Sequence, residues 1–377
     1  MTPPLLTRPW LLAAPLLLLL TGCGPGEVAR ETAPTPFVFR SLDLRQQDVF
    51  GRPNWELTSP EARYDLRRRV ARALQPRGVI YSNGKPAYRV EASTGTLIND
   101  GAVILLEGRI RLQRLGNAPV MIQGSRVRWI PSRNLMEIDR HPEGFDPNTR
   151  LSAERATFRI DKDTLDLQGK PRLQRWAQAF DPFQANPVGA PQIVVTVASV
   201  LWQPGSGALN ARGPVLGERR PPGSAAGAPP QTLTATSLNG NTQKQLFNLG
   251  PPVLFSDPAV SGGASARGKA MQVDAAQQIV RIPAGCFIQQ DGASLEARSC
   301  SWNWQTQAVA ADGSVLLQRP ANRQLTRGRL LRGQLGENGS VVVTAPGGRV
   351  FSQFQVPPSK TPPRPAPPRP KPEPIRL

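Results

Sequence analysis

The stretch AVILLEGRIRLQR, residues 102–114, alternates apolar and polar side chains, and this alternation decides the fold. Its inward-type aliphatic side chains are Ile104, Leu106, Ile110 and Leu112. The charged side chains between them include Glu107, Arg109 and Arg111. Alternate side chains of a strand point to opposite faces, so the stretch predicts a strand in a sheet with one dry and one wet face.

Units of this kind recur along the chain. RATFRIDKDTLDLQGKPRLQRW, residues 155–176, places Phe158 and Ile160 before a polar turn and Leu165 and Leu167 after it. Similar strand–turn–strand patterns lie at residues 124–144, 192–215, 269–288 and 297–319, and residues 333–353 look like a last, degenerate copy. Corresponding glycines, Gly285, Gly313 and Gly339, are 28 and 26 residues apart. A fixed period of this size predicts a mainly β protein built of stacked repeats.

The composition limits the partners. The chain has 377 residues, 41 prolines, 34 glycines and a formal net charge of +19, which favours anionic partners such as a phosphorylated glycolipid. The charge is diffuse, with neither a compact basic helix nor a zinc-finger spacing. Nucleic acid is therefore not the expected partner.

The N-terminal segment predicts export and anchoring. Residues 1–22 have one charge, Arg8, before the apolar run PWLLAAPLLLLL, which is too short to span a bilayer. The following LTGC, ending at Cys23, resembles the bacterial lipobox. That resemblance implies a lipoprotein signal peptide over residues 1–22 and a lipidated Cys23. We expect a periplasmic protein that several acyl chains hold on a membrane.

Three further segments have distinct predictions. Residues 23–36 read as a flexible tether, and residues 356–377 as a disordered tail rich in proline and arginine. TSPEARYDLRRRVARAL, residues 58–74, predicts a short helix, since Ser59 can cap it. Ala62, Leu66, Val70 and Leu74 would form its apolar stripe.

The stretch NWELTSPEARYD, residues 54–65, followed by YRVEASTGTLINDGAVILLEGRIRLQR, residues 88–114, resembles the LptC family. The matching positions are Trp55, Leu57, Ala62 and Tyr64, then Glu91, Ala92, Leu106, Gly108 and Leu112. The resemblance implies an open, twisted β-jellyroll of the OstA-like type, in an extended or doubled form. We expect an LptC-like jellyroll over residues 37–180 and further OstA-like repeats over residues 190–355.

The resemblance also implies a function. Family members bind the acyl chains of lipopolysaccharide in an apolar groove, receive them from an inner-membrane ABC transporter, and pass them to a periplasmic LptA-like bridge by edge-strand pairing. We expect the lipid anchor on the inner membrane rather than the outer, although Gly24 after Cys23 differs from the Asp that marks inner-membrane retention in some bacteria. The groove residues expected here are Ile104, Leu106, Ile110, Leu112, Val127, Trp129, Phe158, Ile160, Leu165 and Leu167.

Catalytic and metal chemistry are not expected. The single histidine, His141, precedes a proline in a turn-like setting. Asp161, Asp163 and Asp166 lack the glycine and the closing glutamate of a calcium loop. A Gly-x-Ser-x-Gly elbow is missing. The sequence therefore predicts a protein that is not an enzyme and needs no cofactor or metal.

Two cysteines follow Cys23, namely Cys286 and Cys300. The oxidising export compartment favours a disulfide between them. Simple hairpin pairing would place Cys286 opposite about residue 297, which leaves a bond between stacked strands or two buried free thiols as alternatives.

Two function classes compete. A lipid-conducting bridge needs a continuously aliphatic interior, which the units before residue 176 supply. A non-conducting scaffold lipoprotein that binds envelope polysaccharide or proteins permits a filled interior. Later units such as LTATSLNGNTQKQLFNLGPPV, residues 233–253, are less apolar, so the conduit is expected mainly in the first half.

Overall fold

The computed structural model describes residues 37–184, 187–221, 223, 227–259, 263–320, 323–334 and 340–355. The predicted signal peptide, Cys23, the tether and the C-terminal tail lie outside these residues.

The described residues form 32 strands joined in one antiparallel sheet. The strands before residue 180 are β1 Phe37–Phe39, β2 Leu42–Gln47, β3 Pro53–Ser59, β4 Glu61–Asp65, β5 Val70–Leu74, β6 Arg77–Ser82, β7 Lys85–Glu91, β8 Thr94–Ile98, β9 Val103–Arg114, β10 Met121–Ile130, β11 Leu135–Arg140, β12 Glu143–Phe145, β13 Thr149–Ser152, β14 Arg155–Arg159, β15 Thr164–Gln168 and β16 Arg172–Arg175.

The later strands are β17 Ile193–Thr196, β18 Ser199–Trp202, β19 Ala208–Arg219, β20 Gln231–Asn241, β21 Leu246–Leu249, β22 Val253–Asp257, β23 Ala264–Gly268, β24 Met271–Asp274, β25 Ile279–Ile282, β26 Cys286–Gln290, β27 Ala293–Ala297, β28 Ser299–Asn303, β29 Ala308–Arg319, β30 Gln324–Gln334, β31 Val341–Thr344 and β32 Phe351–Gln353. Two short 3-10 turns, Pro131–Arg133 and Pro182–Gln184, are the helical elements of this part of the chain. The predicted mainly β jellyroll class is confirmed.

The sheet consists of two ladders that the chain visits in turn. Ladder A contains β1, β4, β5, β8, β11, β14, β15, β18, β21, β24, β25, β28 and β31. Ladder B contains β2, β3, β6, β7, β12, β13, β16, β17, β22, β23, β26, β27 and β32. Six longer strands, β9, β10, β19, β20, β29 and β30, pair in both ladders and connect them. Apolar side chains fill the space between the ladders.

A glycine lies at the point where each first long strand passes from ladder A to ladder B. Gly108, Gly213 and Gly313 are each the sixth of twelve residues in β9, β19 and β29. Gly108 has φ +89° and Gly313 has φ +78°, a conformation that side chains other than glycine rarely adopt. Gly213 lies against the backbone of Thr236, where an added Cβ would be 2.1 Å from the carbonyl oxygen. Glycine is therefore needed at each of these bends.

The pairs of long strands recur at a longer interval than the 26–28 residues that the glycine spacing predicted. β19 begins 105 residues after β9, and β29 begins 100 residues after β19. Gly285 and Gly313 both precede a change of ladder, whereas Gly339 lies outside the described residues. Both ladders continue across residues 180–190, because β15 pairs with β18 and β16 pairs with β17.

The helix predicted for residues 58–74 is wrong. These residues form β4 and β5, an antiparallel hairpin in which Ala62 pairs with Ala73. Leu66 is 59% exposed and lies in the turn, so the apolar stripe of the helix does not exist. The segment also carries a period of two through Ala62, Tyr64, Ala71 and Ala73, and pairing of β5 with β8 selects that alternative.

Candidate functional site

The ten side chains predicted to line a groove face the space between the ladders, each at most 3% exposed. They are Ile104, Leu106, Ile110, Leu112, Val127, Trp129, Phe158, Ile160, Leu165 and Leu167. Their inward orientation agrees with the alternation of the sequence, but they pack against one another as a continuous core. Lipid binding by these ten residues stays a prediction.

Aromatic side chains bridge the two ladders in this first half. The ring centroids of Trp55 in ladder B and Trp129 in the ladder A part of β10 are 5.6 Å apart. Tyr88 in ladder B and Phe158 in ladder A are 5.1 Å apart, with their rings nearly perpendicular. Such edge-to-face pairs stabilise the contact between the ladders and occupy the interior.

Asp163 links the two ladders in this first half of the protein. It lies in the turn after β14 and accepts hydrogen bonds from the Tyr88 hydroxyl in ladder B and, at 2.7 Å, from the backbone N–H of Gly205. The Arg114 guanidinium lies 3.9 Å from the same carboxylate. Burial raises the pKa of Tyr88 far above its usual value, so its hydroxyl remains a donor.

The interior opens further along the chain into a cavity of about 600 Å³. Both ladders supply its apolar walls, which include Leu173, Ile193, Val195, Leu233, Leu238, Phe247, Leu249, Phe255, Met271, Val273, Val280, Ile282, Ile288 and Trp302. None of the ten predicted groove residues lines this cavity. The size is within the roughly 300–1,000 Å³ typical of ligand sites.

The second pair of long strands carries smaller residues than the first pair at equivalent positions. Counting along the twelve-residue strands, Ala211 and Gly217 of β19 occupy the positions of Leu106 and Leu112 in β9. On the partner strands, Gly240 faces Leu209 where Trp129 faces Ile104. The third long strand again carries a leucine, Leu317, at the position of Gly217. Of these small residues Gly217 lines the cavity, so it leaves interior volume that a leucine fills at the same position of β9 and β29.

A polar row borders the cavity on ladder B. Arg175 pairs with Ile193, Ile193 pairs with Arg219, and Arg219 pairs with Gln231, so these side chains lie side by side on one face. The Arg219 Nη1 donates to Gln231 Oε1 at 2.7 Å, and Gln231 Nε2 donates to Asp257 Oδ2 at 2.6 Å. Arg175 donates to Gln245 in a ladder A turn. Burial lowers the pKa of both arginines, which remain cationic because guanidinium ordinarily titrates above about 12.

A second polar cluster lies where the packed half meets the cavity. The Asp146 carboxylate is 2% exposed and accepts the backbone N–H of Asn148 at 3.0 Å. Thr149 and Thr242 lie next to this carboxylate, and Thr242, in a ladder A turn, donates its hydroxyl to the carbonyl oxygen of Gly207. Burial raises the pKa of Asp146 above its usual range.

The structure joins Cys286 to Cys300 by a disulfide, with 5.9 Å between the Cα atoms. Cys286 pairs with Ala297 in ladder B, whereas Cys300 pairs with Ile282 in ladder A. The bond therefore connects the two ladders rather than the two strands of one hairpin. It lies at the cavity, since Cys300 lines it.

In the described part of the chain, the His, Cys, Asp and Glu side chains form no group of three or more that could hold a metal ion. His141 is exposed in a turn with φ +49°. Within those same residues, no helix is long and apolar enough to cross a membrane.

Sequence reasoning missed Gly217, Arg175 and Arg219. The sequence does carry a signal for Gly217. When ALNARGPVLGER, residues 208–219, is aligned with VILLEGRIRLQR, residues 103–114, Gly217 stands where the earlier strand has Leu112. The arginines carry no comparable signal, because inward and outward arginines share the same strands.

A single antiparallel sheet arranged as two ladders around an apolar cavity with a polar border defines a β-jellyroll protein. The family model described as "LptC: Lipopolysaccharide-assembly, LptC-related" matches residues 16–173. The match covers less than half of the chain; it confirms the LptC resemblance seen in the sequence for this region and supports a role in lipopolysaccharide transport. LptC-related proteins are transport components rather than enzymes.

Several solved chains are similar to part of this one, and one of them comes from a lipopolysaccharide transport device. It is the crystal structure of LptH, the LptA-homologous periplasmic component of the lipopolysaccharide transport device from Pseudomonas aeruginosa. The match has 19% identity, covers 44% of this chain and 95% of that chain, and has a TM-score of 0.28. No curated protein matches this chain.

Proposed function

We propose that the protein is a periplasmic component of lipopolysaccharide export that binds acyl chains in the cavity between Leu173 and Trp302. The observation that carries the proposal is the cavity itself. Its walls come from both ladders, and they are aliphatic and aromatic. Transfer of each methylene from water into such surroundings contributes about 0.8 kcal/mol, so an acyl chain gains several kcal/mol there.

The cavity lies almost wholly beyond the LptC-related region, which ends at residue 173. In this proposal the packed first half is a rigid support, and the second half carries the lipid. The filled interior of the first half favours the second candidate, a non-conducting scaffold for envelope polysaccharide or proteins, for that half alone.

The proposal includes anchoring and transfer. Lipidation of Cys23 would hold the chain on the inner membrane, next to the ABC transporter that supplies lipopolysaccharide. Transfer to an LptA-like bridge would use an edge of the sheet. β31 and β32 end the two ladders, and Val342, Phe351 and Phe354 are 52–65% exposed there. An edge strand with unpaired backbone groups is a template for another chain.

Photo-crosslinking in cells tests the lipid site. A photoreactive side chain at Leu233 or Val273, both in the cavity wall, is expected to form lipopolysaccharide adducts. The same side chain at the exposed Arg212 is the control and is expected to form none. Equal adducts at all three positions would contradict the proposal.

Gly217→Leu gives a second test, because it restores the leucine of the other long strands. A Cβ at Gly217 would be 3.6 Å from Leu233 Cβ, an ordinary contact, so the added side chain can enter the cavity. We expect adducts at Val273 to fall by roughly tenfold, equivalent to about 1.4 kcal/mol. Asn210→Leu on the exposed face of the same strand is the matched control and is expected to keep them. Unchanged adducts with Gly217→Leu would place the lipid elsewhere.

A further inference from the structure

We infer that the cavity selects a lipid whose head group carries a phosphate, and that Arg175 and Arg219 bind this phosphate. The inference rests on the proposed acyl-chain site and adds the chemistry of the head group.

Hydrogen-bond donors without partners point to an anionic ligand. Arg175 Nη1, Arg219 Nε and Trp302 Nε1 are buried, line the cavity and have no hydrogen-bond partner among the described residues. Arg175 is only 7% exposed. A buried donor left unpaired costs about 1–3 kcal/mol, and more for a charged group. A ligand oxygen that accepts from these groups would remove that cost.

The two arginines are positioned to share one anion. They lie on either side of Ile193 in register, which separates their Cα atoms by about 10 Å, or two strand spacings. Long guanidinium side chains from both positions can converge on a group between them. Arginine presents several N–H donors in a planar fork that matches phosphate oxygens.

Their partners within the protein are neutral. Arg175 bonds to the amide of Gln245 and Arg219 to the amide of Gln231, and the Arg219 guanidinium lies 5.4 Å from the centre of the Trp304 ring. Neither arginine forms an ion pair with a described carboxylate. Asp146 and Asp257 are near enough to act on them electrostatically, but Asp257 is held by Gln231.

The charged group at the border of the cavity and the apolar wall further inside are arranged as an amphiphilic lipid requires. Arg219 and Gly217 are two residues apart on one face of β19, about 7 Å along the strand, with Gly217 further inside. A head group at Arg219 thus places its acyl chain over Gly217 and Leu233. We assign a phosphate rather than a carboxylate, because two arginines and an indole N–H offer more donors than two carboxylate oxygens accept in bidentate pairing.

The test compares two probes on the purified full chain: lipid A with both phosphates, and the same lipid after enzymatic removal of the phosphates. Wild type is expected to bind the phosphorylated form roughly tenfold or more tightly, as charge-assisted hydrogen bonds imply. Arg175→Gln and Arg219→Gln are expected to lose this preference and to keep the affinity for dephosphorylated lipid A. Arg172→Gln and Arg212→Gln, exposed arginines of the same strands, are the matched controls and are expected to retain the preference.

Each outcome decides between named alternatives. No preference in wild type, or an unchanged preference in both cavity variants, would overturn the inference while leaving the acyl site intact. Tighter binding of a free fatty acid than of lipid A would replace phosphate by carboxylate. Dephosphorylated lipid A that does not bind at all, together with no effect of Gly217→Leu, would overturn the proposed function itself. If Arg175→Gln fails to fold, the less buried Arg219→Gln and its rescue by Arg219→Lys carry the test.

Discussion

Residues 103–130 and residues 208–241 contain the same pair of long antiparallel strands, yet their interiors differ. In the first pair, Ile104, Leu106 and Leu112 are fully buried against Trp129 and its neighbours. In the second pair, Gly217 lines a cavity to which both ladders contribute walls. The backbone pairing is alike, and both first strands bend at a central glycine. A few side-chain volumes therefore decide whether this fold is packed or hollow.

The difference between the packed and the hollow interior has consequences for both stability and ligand binding. A packed interior gains dispersion contacts and loses them when an atom is removed. A cavity gives up those contacts and leaves surface for a ligand. We expect the first half to carry most of the stability of the fold, and the second half to carry the binding.

The largest expected effect comes from matched leucine truncations in the two halves. Leu112→Ala removes fully buried atoms from the packed half and is expected to lower the free energy of unfolding by about 3–5 kcal/mol. Leu233→Ala enlarges an existing cavity and is expected to cost about 1–2 kcal/mol. Urea denaturation of both variants measures the two losses. Equal losses would show that the cavity walls are packed as tightly as the core.

The next effect concerns the disulfide that ties the ladders beside the cavity. Cys286→Ala with Cys300→Ala removes a bond across 14 residues and is expected to cost about 3 kcal/mol. Hydrogen exchange should then rise in β26 and β28 and stay unchanged in β9 and β10. A uniform rise in both halves would mean that the bond stabilises the whole sheet and not the hollow half in particular.

The smallest effect is expected at Asp146, at the boundary between the halves. Because burial raises the pKa of its carboxyl, its contribution to stability is complete below the unfolded value of about 3.9 and is lost as the pH rises through the folded value. Asp146→Asn should flatten this slope and raise the free energy of unfolding at pH 7 by about 1 kcal/mol or less. Urea unfolding between pH 3.5 and 7 measures it. The exposed Asp291→Asn is the control, and an equal change there would exclude Asp146 as the source.

Several parts of this molecule were predictable from local pattern. The alternation at residues 102–114 and 155–176 gave the correct inward and outward faces, because a strand's side chains have a fixed period. The segment at residues 58–74 was misread, since its spacing fits both a helix and a hairpin. Pairing of β5 with β8 and of β1 with β4, contacts that are distant in sequence, resolves that ambiguity.

The sequence by itself determined the alternating strand pattern and the resemblance to the LptC family, whose family model matches residues 16–173. It identified apolar faces but could not tell a filled interior from an open one, because packing depends on which side chains meet across the ladders. Only the tertiary structure placed Trp129 against Trp55 in one half and Gly217 beside Leu233 in the other. It also set Arg175 and Arg219 on either side of one residue, a proximity that strand register creates between two residues 44 positions apart in the sequence.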